Sequence, residues 1–243
     1  MDYFIDTIET IPEGQGFKLL GPLHLGWVVA AILTFVLVSL YYKKLDDEKA
    51  VKFRKTIAWL IVIDELWKDF WLFVGGRFLV TYLPFHLCSI NIFVILYHAY
   101  KPDKAVENYL YTVGIPGALM ALFFPTWTSL PLFNFMHLHS FTIHILLTLY
   151  PIVLMVRKDF RPEVNTIPKS LAILAGLGVI ALCINPLLGT NFMFLMFAPK
   201  GNPLYFFYQL TGSHLVGFPV MITLLLIVMY APVVLLNKRL RIS

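Results

Sequence analysis

The chain has 243 residues, of which 59% are hydrophobic, 16% aromatic and only 14% charged, with a mean hydropathy of +0.77 and a formal charge of +5. A soluble domain of this size has too little interior to hide so much apolar surface, and the apolar runs are continuous rather than short and alternating, which argues against a β-barrel. The basic excess sits in loops, where it reports orientation and anionic lipid headgroups rather than nucleic acid.

The first 21 residues carry Asp2, Asp6, Glu9 and Glu13 with no basic leader, which is not the pattern of a cleavable signal peptide. Seven apolar stretches follow, each about the length of one bilayer crossing. They cover 23–42, 57–74, 83–100, 107–124, 135–156, 170–187 and 214–236. The expectation is an all-α fold: a single domain, 1–243, of seven transmembrane helices, a multi-pass protein of the cell membrane.

One set of alternate loops gathers Lys43, Lys44, Lys49, Lys52, Arg54, Lys55, Lys101, Lys104, Arg157, Lys158, Arg161, Lys169, Lys238, Arg239 and Arg241. The opposite loops carry only Lys18, Arg77 and Lys200. Basic loops stay in the cytoplasm, so the N-terminus is expected outside and the C-terminus inside. Cys88 and Cys183 both lie in apolar segments and form no disulfide framework.

The second span carries Asp64, Glu65, Lys68 and Asp69. Each charge at mid-bilayer costs roughly 2.5–3.5 kcal/mol on insertion scales, so the set is expected to face protein or water. Asp64 and Lys68, four residues apart, can pair on one helix face. They could lock helices together, or they could orient a histidine and bind a polar headgroup.

The third span opens on His86, Cys88 and Asn91. On a regular helix His86 and Cys88 project about 200° apart and cannot share a metal ion, whereas Cys88 and Asn91 share a face. A thiol becomes nucleophilic beside a basic neighbour, which a histidine of another helix could supply. A small buried packing residue is the plain alternative for Cys88.

The fifth span brings His137, His139 and His144 within eight residues, with His137 and His144 nearly in line and His139 pointing elsewhere. Acid–base work, phosphate contact and metal binding are all open to such a set. Its spacing matches no zinc signature, and haem would need histidines near both ends of paired helices, so no metal or cofactor is expected. Residues 189–204 form a long outer loop that either covers a cavity or lies on headgroups.

Three stretches carry a resemblance: LPFHLCSI at 83–90, TIHILLTLYP at 142–151, and Asn185-Pro186 with GTNFMFL at 189–195. Together they resemble the bacterial YwaF-like integral membrane family, which is related to vertebrate transmembrane protein 164. The likeness runs from the second span to the last. It implies a phospholipid acyltransferase working through a cysteine and a histidine, with His144 at the catalytic histidine's position and His86 in the family's Pro-x-His motif. The cysteine departs from the pattern: Phe85 stands where the family has it, directly after Pro84, and Cys88 lies three residues on. Either Cys88 substitutes as acyl acceptor or the covalent chemistry is absent. Related threonine-dependent membrane hydrolases show that the nucleophile varies, which keeps Ser89 open.

The leading expectation is therefore a lipid acyltransferase or acyl hydrolase with its site in the outer half of the bundle. Cys88 would be the nucleophile, and His144 with His86 would be base and then acid. His137, His139, Asn91, Asn191, Asp64 and Lys68 would bind the headgroup or polarise the carbonyl. Membrane lipids are the expected partners, and the oligomeric state is open. The alternative is a non-enzymatic transporter or receptor holding a small polar solute or lipid headgroup in the same cavity. A third possibility is a small assembly partner with a structural polar core.

Overall fold

The computed structural model describes residues 3–242, with side chains over 3–235, and no strand occurs among them. The elements are α1 (Pro22–Tyr42), α2 (Asp47–Val74), α3 (Leu87–Tyr100), α4 (Lys104–Tyr109), a π-helical turn (Leu110–Gly114), α5 (Ile115–Phe123), α6 (Phe135–Arg157), α7 (Ile167–Leu188), α8 (Pro203–Thr211) and α9 (Gly217–Ile242). The seven predicted stretches fall on α1, α2, α3, the run from α4 to α5, α6, α7 and α9, although α2 starts at Asp47, well before the stretch 57–74 that it contains. Four segments are long and apolar enough to cross a membrane: Pro22–Tyr42, Phe135–Arg157, Val164–Leu188 and His214–Leu235. Helix α2 has the length but carries the four charges, and α3 has only 14 residues.

Several boundaries move for local reasons. The third helix starts at Leu87 rather than at residue 83, because a 3-10 turn at Val80–Tyr82 and Pro84 precede it. His86 is its N-cap, with φ −71° and ψ 153°. It lies outside the helix, so the expected 200° relation between His86 and Cys88 does not apply. His214 likewise sits in a 3-10 turn ahead of α9.

Helix α6 is the centre of the bundle: 61% of its most apolar window is buried, against 6–17% for the other three spanning helices. It packs on α1, α2, α3 and α5. Ile143, Leu147, Tyr150 and Val153 meet Ile57 and Ile61 of α2 and Ile92 and Ile95 of α3. Nearer its start, Phe135, Phe141 and Ile145 join Leu72, Leu122 and Trp127. Ala58, Ala99 and Ala118, all essentially buried, let these helices approach closely, as packing without a hydrophobic drive requires. Helices α2 and α6 are antiparallel: Arg157 pairs with Asp47 at the end where the basic loops gather, and His139 meets Asp64 at the other.

The segment before α1 folds over this far end. Phe4 stands edge-on to Trp71 at 4.8 Å, and Phe17 edge-on to His137 at 5.1 Å. Its backbone is tied down by Phe17 N–H donating to the Thr128 carbonyl and Phe135 N–H to that of Phe4. Gly16 is required there, since a Cβ would lie 1.9 Å from the Thr128 oxygen. Tyr82 donates to Glu9 at 2.7 Å. Burial opposes ionisation of Glu9, yet this bond helps hold its carboxyl below the ordinary value.

Asn134 joins the two parts. Its Oδ1 caps α6 by accepting from Met136 N–H and His137 N–H, and its Nδ2 donates to the carbonyls of Tyr3 and Asp6. Asn134→Ala removes a helix cap and both tethers, and is expected to cost about 1–2 kcal/mol. Hydrogen exchange by mass spectrometry checks this: residues 3–20 should exchange faster, and unchanged protection would mean that the aromatic contacts alone hold the segment.

Candidate functional site in the far half of the bundle

The charges of α2 and the start of α6 meet inside the bundle. On α2, residues 61, 65, 68 and 72 form one buried face toward α6, which carries Glu65 and Lys68 inward among apolar side chains. Lys68 Nζ donates to Glu65 Oε1 at 2.6 Å and lies 3.3 Å from Asp69 Oδ1 and 3.4 Å from the Tyr82 carbonyl. The contact with Asp69 is close in distance but off the hydrogen-bond direction, and leaves that oxygen without a bonded partner. The expected Asp64–Lys68 pair does not form. Asp64 turns to α6 instead, where its Oδ2 accepts from Thr142 Oγ1 at 2.8 Å.

His139 completes the cluster. Its Nδ1 lies 3.2 Å from the Asp64 carbonyl and 3.5 Å from Asp64 Oδ1, and its Nε2 lies 3.4 Å from Glu65 Oε2. Whichever nitrogen carries the proton, an acceptor faces it. The sequence placed this ring apart from the others. It is the imidazole that α2 grips, because 139 and 142 lie one turn apart on the face of α6 that meets Asp64. Glu65, named in the sequence among the α2 charges, is the partner of Lys68 and His139, and Thr142 is the partner that sequence reasoning left out; its spacing from His139 is the signal that could have found it.

His144 behaves differently. Its Nδ1–H donates to the Ser140 carbonyl at 2.6 Å, and the ring stacks on Trp127 with centroids 5.4 Å apart and planes 11° from parallel. That bond fixes the tautomer and leaves Nε2 a bare acceptor, with no hydrogen bond to any described residue.

Cys88 is the second residue of α3 and is partly buried against the main core. Its sulfur makes no hydrogen bond among the described residues, and none joins it to an imidazole. Among the described residues the α3 N-terminus has no side-chain cap, and the amides of Leu87, Cys88 and Ser89 have no acceptor. Such amides ordinarily find a partner and together favour negative charge. Asn91, one turn on, accepts from the Tyr109 hydroxyl at 2.8 Å.

The His86 ring has no hydrogen bond among the described residues. It lies edge-on to Phe192 at 5.2 Å and near Phe194 at 5.8 Å. These rings come from the long loop, which therefore folds onto the start of α3. Asn185 pins it, accepting from Phe192 N–H and Thr190 Oγ1 and donating to the Phe192 carbonyl. Met193 and Phe194 both have φ near +57°, strained for residues with a Cβ, and such strain gathers where function demands it.

Two sequence candidates are committed elsewhere. His137 accepts from Trp27 Nε1 at 2.9 Å and lies 3.1 Å from the Leu130 carbonyl, fully buried, with both nitrogens used. Asn191 accepts from the amides of Met196 and Phe197 and donates to the Phe197 carbonyl, so its amide builds the loop. Among the described residues, no three His, Cys, Asp or Glu side chains gather as a metal ion would need.

The fold and this interior define a multi-pass helical membrane protein with ionisable groups held in its apolar core. The chain belongs to the TMEM164 family, whose model matches residues 19–230. No curated protein and no solved structure matches it.

Proposed function

We propose that the chain is an integral membrane lipid acyltransferase or acyl hydrolase, crossing the cell membrane seven times with its N-terminus outside and its site in the outer half. One observation carries the reading: Cys88 stands in the uncapped first turn of α3, where unpartnered amides can receive the oxyanion of an acyl ester under attack. Family membership, and the acyl chemistry that the resemblance implies, supports the same reading.

In the first half-reaction the Cys88 sulfur attacks the ester carbonyl, and the bare Nε2 of His144 takes the thiol proton. The carbon–oxygen ester bond breaks and the alkoxide of the lysolipid leaves with that proton, giving a thioester on Cys88. In the second half-reaction an acceptor hydroxyl attacks the thioester, or water does in a hydrolase. His144 takes the acceptor's proton and returns it to the sulfur. Substrate binding brings thiol and imidazole into line, as catalytic contacts often tighten only in the complex. His86, held by Phe192 and Phe194, lines the approach, and the Asp64–His139–Glu65–Lys68 cluster holds α2 against α6 beneath the headgroup.

Transfer of a labelled acyl chain between phospholipids in vesicles tests this, using purified Cys88→Ala and His144→Gln proteins. Both should be nearly inactive, and full turnover in both would end the covalent reading. The buried α2–α6 charges favour one other reading, a carrier for a polar solute. Solute uptake lost on Asp64→Asn, together with no acyl transfer by the unaltered protein, would select it.

A further inference from the structure

Outside the site, α2 and α3 leave a shallow, open groove of ≈ 400 Å³ on the exposed surface of the bundle. Its walls are Trp59, Phe93, Leu96, Tyr97, Tyr100 and Lys101. At its mouth Trp59 Nε1 donates to the Tyr100 hydroxyl at 2.9 Å, and Lys55 Nζ stands 4.5 Å from the centre of the Tyr100 ring. No carboxylate lies within ion-pairing distance of Lys55 or Lys101 among the described residues. The nearby acids are engaged, Glu48 by Lys52 and Asp103 by the first amides of α4.

We propose that this groove binds an anionic phospholipid, with its phosphate between Lys55 and Lys101 and one acyl chain running inward over Trp59, Leu96 and Phe93. The groove lies at the end of α3 where the basic loops gather, opposite Cys88. Two unpaired cations at the mouth call for a negative headgroup, and basic pockets between helices on that side suit anionic lipids. The hydrogen-bonded Trp59–Tyr100 pair has the amphipathic character of side chains that settle at the headgroup level. From Tyr100 the floor descends seven residues to Phe93, about 10 Å along the helix, and is aromatic or aliphatic throughout. A zwitterionic lipid would fill the same floor but would present an ammonium near the lysines. The inference stands apart from the acyl chemistry and would survive its failure.

Brominated lipids quench a tryptophan that they touch. The protein is reconstituted in phosphatidylcholine vesicles containing either phosphatidylglycerol or phosphatidylcholine brominated on one chain, and the Trp59 signal is taken as the difference from Trp59→Phe. Half-maximal quenching should need several-fold less brominated phosphatidylglycerol than brominated phosphatidylcholine, and Lys55→Gln with Lys101→Gln should abolish the difference. Equal quenching by the two lipids in the unaltered protein would overturn the proposal, as would a preference that survives loss of both lysines. Lys101 is exposed and Lys55 half-buried, and an unchanged melting temperature shows that the doubly altered protein is folded.

Discussion

Glutamine at position 144 is expected to lower acyl transfer roughly 10²–10⁴-fold, the usual contribution of a positioned general base, while the protein still folds. The side-chain amide of glutamine can donate to the Ser140 carbonyl as the ring does, at 2.6 Å in the unaltered protein, so the local bond of α6 is kept. What is lost is a basic nitrogen opposite that bond. Histidine fixed as the Nδ1–H tautomer takes a proton at Nε2, and an amide does not. Transfer rate in vesicles, read beside the thermal unfolding midpoint, separates chemistry from structure. A rate near that of the unaltered protein would remove His144 from the reaction; a lost rate with an equally lowered midpoint would make it a packing residue on Trp127.

Lys68→Met is expected to give a large loss of stability. Lys68 is 5% exposed and its ammonium lies 2.6 Å from a Glu65 oxygen, itself 8% exposed. Methionine fills the space of the lysine stem but leaves Glu65, beside Asp69, with an uncompensated buried charge. Breaking a buried pair in this way costs about 3–5 kcal/mol, whereas replacing both members is often neutral. At a few degrees per kcal/mol for a chain of this size, the midpoint should fall by roughly 10 °C. Adding Glu65→Gln, which keeps an amide near His139, should recover most of that loss. If the single change is harmless, or if the pair of changes is worse than either alone, the cluster is not held by this charge balance.

The apolar runs made the helices legible, because length and composition alone set what can cross a bilayer. They could not rank the helices: α6 and α7 both read as apolar runs of membrane length, yet 61% of the most apolar window of α6 is buried and only 11% of that of the segment holding α7, a difference of neighbours. The α2 charges were legible as inward-facing, since nothing else suits them, but the partner was misassigned. Asp64 sits four residues from Lys68 in a helix, yet Thr142 and His139 of another helix claim it, leaving Lys68 to Glu65.

His137 shows the same limit from the other side. Its partner Trp27 is 110 residues away, and no local spacing announces it. His86 was placed in a helix because the apolar run begins at residue 83. Pro84 and the preceding 3-10 turn delay the helix to Leu87 and turn the imidazole toward Phe192 instead. Asn191 looked like a free polar group in an outer loop, and it is the loop's own scaffold.

Intact mass measurement of the purified protein, incubated with phospholipid and no acceptor, decides most directly whether Cys88 carries the acyl group. A gain equal to one acyl chain, located on Cys88, released by hydroxylamine and absent from Cys88→Ala, is the expected result. Turnover of phospholipid by Cys88→Ala at the unaltered rate, with no adduct on any protein, would contradict it.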